Sequence, residues 1–306
     1  MAVSDVVKGT EYKATLGDFQ GFTFGYDMDG NRNPILGRGE DADPFILCLS
    51  SKAWVRQLIK AVQAVAAVDG AVFMLHMDGS FNLNLMGYPV IVVGVSDSSR
   101  NFHPLGLAIV SQTTSAIFTE VLTKFGDFVA QLHSEVPWFN KVTHFMMDAD
   151  VAEYNAVQAK FPSAVVLMCY FHVMYDVNKR CKGLPGHCTL QIMKGLLFLY
   201  ASISEEEYVH RSRRILAEWR LVAELYAFAQ YFEQQWMANQ KFNKWQIYHT
   251  HCGYAKTNNP VELFNRKIKV MTQRLVLKLP KLIETLLGFV TEQSTGESQP
   301  FRVALC

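Results

Sequence analysis

The sequence predicts an α/β fold, a mixed sheet flanked by helices, with a long all-helical insertion before its last acidic motif. Three observations predict it. Short apolar runs rich in Val, Ile and Phe, bounded by Gly, Asn and Asp, recur between residues 72 and 168 and read as buried strands. Segments with apolar residues at helical spacing lie between them. From Tyr170 to about Tyr248 the pattern is wholly helical, and a polar Thr257-Asn258-Asn259 gap then precedes a helix opening at Pro260.

Composition sets the bounds. Half of the 306 residues are hydrophobic and 12% are aromatic, enough for a sizeable core and against wholesale disorder. The net charge of +1 is low for a stand-alone nucleic-acid binder, so any basic surface must be local. Met1 to Lys8 lacks the apolar core of a secretory signal. The apolar stretch Ala61 to Met77 is interrupted by Asp69-Gly70 and is too short on either side to span a bilayer. A soluble protein is expected. Six scattered cysteines, Cys48, Cys169, Cys181, Cys188, Cys252 and Cys306, show no disulfide framework and suit a reducing compartment with free thiols, or at most one small metal site.

In order along the chain, residues 1–70 read as a lead-in. Tyr12 to Leu16 and Phe22 to Tyr26 are short strand candidates, and Trp54, Val55, Leu58, Ile59, Val62 and Val65 mark a helix over 50–68. Residues 71–182 form the first part of the core. Strands are expected at Val72 to Met77, Pro89 to Val95 and His103 to Val110, a helix at Ser115 to Leu132, and a strand at Val142 to Met147. A helix from Ala152 to Phe161 and a strand from Ala164 to Met168 complete it, in the order β-β-β-α-β-α-β. Residues 183–256 form the helical insertion, whose Trp219, Trp236 and Trp245 fall at core spacing. Residues 257–293 return as core helices, and 294–306 read as a loose tail.

Carboxylates close two of these strands. Asp78 follows Phe73-Met74-Leu75-His76-Met77, where Asp78-Gly79 also reads as a simple turn. Asp148-Ala149-Asp150 follows the strand ending at Met147, and one of those acids is free to cap the next helix. Asn259-Pro260-Val261-Glu262 is a helix start signal, with Asn as cap, Pro at the first position and Glu at the third, so Glu262 has a capping role open to it. The helix it opens is basic. From Lys256 to Lys281 there are seven basic residues and one acid, Glu262. A carboxylate on a basic helix suits a metal ligand beside a phosphate backbone. Cys169-Tyr170-Phe171-His172 is half of a zinc site at best, and its spacing matches no zinc module, so structural zinc is not expected.

These residues resemble the catalytic core of Mutator-like element (MULE) transposases, which are DDE enzymes of the RNase H-like fold. The matching text is His76-Met77-Asp78-Gly79-Ser80-Phe81, then Gly87-Tyr88-Pro89-Val90. Phe145-Met146-Met147-Asp148-Ala149-Asp150 follows, with Asn155-Ala156-Val157 and Phe161-Pro162. Cys169-Tyr170-Phe171-His172-Val173 and Thr257-Asn258-Asn259-Pro260-Val261-Glu262-Leu263-Phe264-Asn265 complete it. The resemblance spans roughly residues 45–290, including a helical insertion between the second Asp and the Glu.

The resemblance implies Asp78, Asp148 and Glu262 as the catalytic acids and the ligands of two Mg²⁺ or Mn²⁺ ions. Asp150 would be an acid supporting them. Cys169 and His172 match the family's Cys-x-x-His motif, with a role in DNA handling or in local architecture. Lys256, Arg266, Lys267, Lys269 and Arg274 would face DNA, with a homo-oligomer open as a further partner. DNA cleavage and strand transfer in the nucleus are the implied activity. No zinc-finger or end-recognition module precedes the core in this sequence. A fragment, a truncated copy, or a catalytically inactive, domesticated transposase-derived regulator associated with DNA therefore stands beside the active enzyme as an expectation.

Overall fold

The computed structural model describes residues 2–134, 138–296 and 299–304. Helix α1 (Val3–Thr10) precedes strand β1 (Phe22–Phe24), a small ribbon of β2 (Asp27–Met28) with β3 (Pro34–Ile35), and then β4 (Ile46–Ser50) and helix α2 (Lys52–Ala66). Three long strands follow as an antiparallel meander, β5 (Met74–Ser80), β6 (Val90–Ser96) and β7 (Phe102–Val110). After α3 (Ser115–Leu132), β8 (His144–Met147) and β9 (Val165–Met168) flank α4 (Val151–Lys160). Both strands lie parallel, β8 beside β5 and β9 beside β8. The seven-stranded sheet has the order β1-β4-β7-β6-β5-β8-β9, an RNase H-like mixed sheet flanked by helices.

The alternation of side chains across β5 positions the site. Leu75 and Met77 enter the large core formed with α2, α3 and α4. Successive strand residues point to opposite faces, so His76, Asp78 and Ser80 face the other layer. That layer holds α9 (Asn259–Met271) and α10 (Leu279–Thr295), whose Val261, Phe264, Ile268, Leu282 and Leu286 pack with Val90, Val92 and Leu107 of the sheet.

Several sequence expectations are corrected. Within residues 1–70, β1 and β4 are part of the main sheet and extend it beyond β7. Ile46–Ser50 is a wholly buried strand, and α2 begins only at Lys52, where Ser51 caps the Trp54 N–H. Tyr12 to Leu16 forms no strand. Its Tyr12 N–H bonds Thr23 O, and the Tyr12 ring packs edge-on against Phe22 and Phe128. Asp78-Gly79 is not a turn, since β5 continues to Ser80 and Asp78 lies opposite Val92. The reversal falls later, where Asn82 and Gly87 adopt positive φ angles of 62° and 73°, a conformation that Asn and Gly tolerate best.

After α5 (Tyr170–Arg180), the insertion comprises α6 (Gly186–Tyr200), α7 (Glu205–Arg220) and α8 (Tyr226–Phe232), the last prolonged by a π-helical turn to Ala238. Trp219, Trp236 and Trp245 are buried and join the same apolar core as the sheet. The chain rejoins the sheet where the Met168 N–H bonds Lys244 O. The described part of the tail is docked rather than loose. Phe301 packs against the Phe73 and His103 rings, and Ser98 donates its N–H to Arg302 O. Two aromatic neighbours and a backbone bond hold in place a segment whose polar composition suggested otherwise. Among the described residues no helix is long and apolar enough to cross a membrane.

Candidate functional site

Four segments converge at one end of the sheet. Asp78 comes from β5, Asp148 from the residue after β8, Cys169 and His172 from the start of α5, and Glu262 from the first turn of α9. The local reason is a buried strut. His76 sits wholly buried on β5, with Nδ1 2.9 Å from Asn258 Oδ1 and Nε2 2.7 Å from Ser96 Oγ. Burial pushes the His76 imidazole down to about 4, so it is neutral and acts as a polar clamp on Asn258. Asn258 in turn donates its backbone N–H to Cys169 Sγ at 3.2 Å and its Nδ2 to Met77 O and Asp148 Oδ1, each at 3.4 Å. One residue thus ties β5, the end of β8 and the start of α5 to the N-terminus of α9.

This corrects the helix start read from the sequence. Asn258, not Asn259, is the cap residue, and its side chain makes no capping bond. Glu262 therefore does not reach back to the cap. Its Oε1 lies 4.0 Å from His172 Nδ1 and accepts from Cys169 Sγ at 3.9 Å. Asp150, by contrast, is the cap of α4, taking the Glu153 N–H at 2.9 Å.

The acids sit in an environment short of positive charge. Asp78 Oδ2 accepts from Asn265 Nδ2 at 2.8 Å. Burial, reinforced by the Asp148 charge and only partly offset by Asn265, lifts the Asp78 carboxyl to about 7. Burial also raises Glu262, against the opposing pull of His172. His172 Nδ1 is 2.7 Å from Asp148 Oδ1, a close ion pair out of line for a hydrogen bond. Burial alone would depress the His172 imidazole, but the adjacent Asp148 carboxylate outweighs it and holds the ring up at about 11. Among the described residues, His172 is the only cationic side chain within ion-pair reach of Asp148 and Glu262.

Asp78, Asp148 and Asp150 line a cavity of about 100 Å³ with Met77, Phe118 and Glu153. Glu153 was not anticipated from the sequence. It is buried, its Oε1 has no hydrogen-bond partner, and burial together with the Asp148 and Asp78 charges raises its carboxyl well above the ordinary range. Asn258 and Asn265 were missed as well. Asn265 stands one helical turn after Glu262, a spacing that places both toward neighbouring positions, and this was the available signal.

The basic residues expected at DNA divide by position. Arg266, Lys267, Lys269 and Arg274 are exposed and Lys256 is half-buried. Arg266 and Lys269 follow Glu262 at i+4 and i+7, on its face of α9. Lys267 turns instead toward α10, with Nζ 3.3 Å from Gln293 Oε1.

The donor set suits a hard divalent cation. Clustered carboxyls, of which Asp78, Glu153 and Glu262 have raised proton affinity, with no Lys or Arg ion pair among the described residues, are what such an ion neutralises. Comparison with known families agrees in kind. Residues 74–176 match the MULE transposase domain, a stretch that runs from β5 into α5 and includes Asp78, Asp148, Cys169 and His172. No curated protein matches the chain.

Proposed function

We propose that this chain, which carries a MULE transposase domain, cleaves and joins DNA phosphodiester bonds with Asp78, Asp148 and Glu262. The observation that carries the proposal is the convergence of these acids. Asp148 and Glu262 share one imidazole nitrogen at 2.7 and 4.0 Å, and the Asp78 carboxyl is bonded to Asn265 of the helix that bears Glu262.

The three carboxylates would hold two Mg²⁺ or Mn²⁺ ions, which supply, when bound, activation of the attacking oxygen and charge stabilisation of the leaving one. The chain's own groups do the rest. Asn265 holds one Asp78 oxygen, and Asp78 lines the cavity. His172 fixes Asp148 and carries a proton that it can give up as the site fills. Arg266 and Lys269, beside Glu262, position the phosphate backbone and read no sequence. The reading places the protein at DNA, and hence in the nucleus.

The test uses nicked or branched DNA with Mn²⁺, comparing the parent with Asp78→Asn. Cleavage by the parent that falls at least ~10³-fold in the variant supports the proposal, since removing a ligand costs transition-state charge stabilisation of that order. Salt-dependent DNA binding without cleavage by either would replace it with the DNA-associated regulatory reading.

A further inference from the structure

We infer that Asp148, Cys169, His172 and Glu262 form a site for one thiophilic divalent ion of the Zn²⁺ type, which competes with the hard cations for two of the three acids. The ligand atoms of Asp148, Cys169 and His172 lie within 4.8 Å of one another. Glu262 Oε1 adds a fourth at 3.9 Å from Cys169 Sγ and 4.0 Å from His172 Nδ1. Tetrahedral zinc, with sulfur at ~2.3 Å and nitrogen or oxygen at ~2.0–2.2 Å, sets its ligands roughly 3.2–3.6 Å apart. The separations of 2.7 Å from His172 to Asp148 and of 3.9 and 4.0 Å from Glu262 to Cys169 and His172 fall on either side of that range, and the Asp148, Cys169 and His172 ligand atoms all lie within 4.8 Å, so side-chain adjustments of about an ångström suffice.

Two features point to a ligand rather than to a closed network. His172 Nδ1 is buried without an aligned hydrogen bond. Cys169 is fully buried, with its Sγ accepting the Asn258 N–H at 3.2 Å and lying a long 3.9 Å from Glu262 Oε1. Cys169 caps α5 and His172 lies in its first turn, so the Cys-x-x-His spacing aims sulfur and nitrogen to one side. Sulfur is what distinguishes the ions. Mg²⁺ demands oxygen ligands, whereas thiolate and imidazole select Zn²⁺ or Co²⁺. Binding forms metal–sulfur and metal–nitrogen bonds and releases the thiol and imidazolium protons to solvent. The expectation of no zinc came from seeking four Cys and His ligands at module spacing. Here half the set is carboxylate, and the Glu stands 93 residues from the Cys.

The test is Co²⁺ titration of the metal-free full chain, followed by absorbance. One equivalent should produce a near-ultraviolet thiolate-to-cobalt band with intense visible bands of tetrahedral geometry. Zn²⁺ should erase both at one equivalent, and a large excess of Mg²⁺ should not. Cys169→Ser keeps an acceptor for the Asn258 N–H and should lose the near-ultraviolet band, whereas Cys252→Ser, at an exposed cysteine, should keep it. If Cys169→Ser does not fold, His172→Gln serves, with Co²⁺ affinity expected to fall about tenfold or more. No band in the parent, a band surviving Cys169→Ser, or unchanged affinity in His172→Gln overturns the inference. The readout is independent of cleavage. Mg²⁺-dependent cleavage with no cobalt band would sink this inference alone, and a band in a protein that never cuts would sink the proposed function alone.

Discussion

Two carboxylate–histidine pairs stand at opposite ends of the same sheet, and they are in opposite states. At one end, Asp97 follows β6 and its Oδ2 lies 3.2 Å from His103 Nε2 of β7. Asp97 also accepts the backbone N–H groups of Ser99, Asn101 and Arg302 and the Asn101 side-chain amide. Burial works against its charge, but these donors more than offset it and hold the Asp97 carboxyl below the ordinary range. At the other end, Asp148 pairs with His172 among Asp78, Glu153 and Glu262, three carboxyls that burial pushes upward. Burial is common to both ends. The number of donors aimed at the charge is not. A carboxylate with five donors is finished as it stands, whereas a cluster of acids served by one imidazole and two asparagine amides is built to take a cation.

The comparison breaks most visibly at Asp97. Asp97→Ala would strand three backbone N–H groups and the buried His103, and removing one partner of a buried pair costs about 3–5 kcal/mol. Denaturant unfolding should show a loss of that size, with metal affinity per folded molecule unchanged. A loss under ~1 kcal/mol would mean that donor count does not separate the two ends.

At the acidic end the sign reverses. Asp78 is raised from 3.8 to about 7, so its contribution to stability is full below pH 3.8 and disappears as pH rises through about 7. The metal-free protein should therefore lose on the order of 4 kcal/mol from this group between acid and mildly alkaline solution. Asp78→Asn, neutral throughout, should be more stable than the parent above about pH 7 and should show a shallower slope. Some slope remains, because Glu153 and Glu262 are raised as well. Mn²⁺ should restore the parent's stability and not the variant's. Thermal unfolding across this pH range, with and without Mn²⁺, checks both statements, and an Asp78→Asn protein less stable than the metal-free parent would refute them.

The same contrast explains what the sequence could disclose. The β5–β6–β7 meander was legible because its apolar runs are long and its punctuation is strong. β4 was not, since Ile46–Ser50 runs straight into the helix capped by Ser51, and a five-residue buried strand has no periodicity to separate it from a helix start. α1 was unread because eight residues with two buried valines carry little pattern. The acids were visible through motif order, but the groups that arrange them were hidden by distance. His76 and Asn258 are 182 residues apart and Asp78 and Asn265 are 187 apart. Local rules assign an Asn before a helix to capping, and no local rule reports that this one is spent on a histidine across the sheet. Glu153 was hidden for another reason. A Glu in the first turn of a helix reads as a favourable dipole contact, which conceals that it is buried among other acids.

Engaged and unengaged groups can also be told apart on the surface, where the effects are smaller. Lys267 is occupied with Gln293 of α10. Arg266 and Lys269 are exposed on the Glu262 face and make no salt bridge among the described residues. If α9 lies along a phosphate backbone, each such contact contributes about 0.9 to the slope of log affinity against log salt for duplex DNA. The double variant Arg266→Ala/Lys269→Ala should therefore flatten that slope by about 1–2 and weaken binding evenly across unrelated sequences, whereas Lys267→Ala should leave the slope nearly unchanged. Fluorescence anisotropy over a range of salt concentrations measures both. Equal losses from all three residues would mean that basic charge acts diffusely over the helix. A larger loss from Lys267 would place the DNA on the α10 side, away from Glu262, and would separate the binding surface from the acids it is meant to serve.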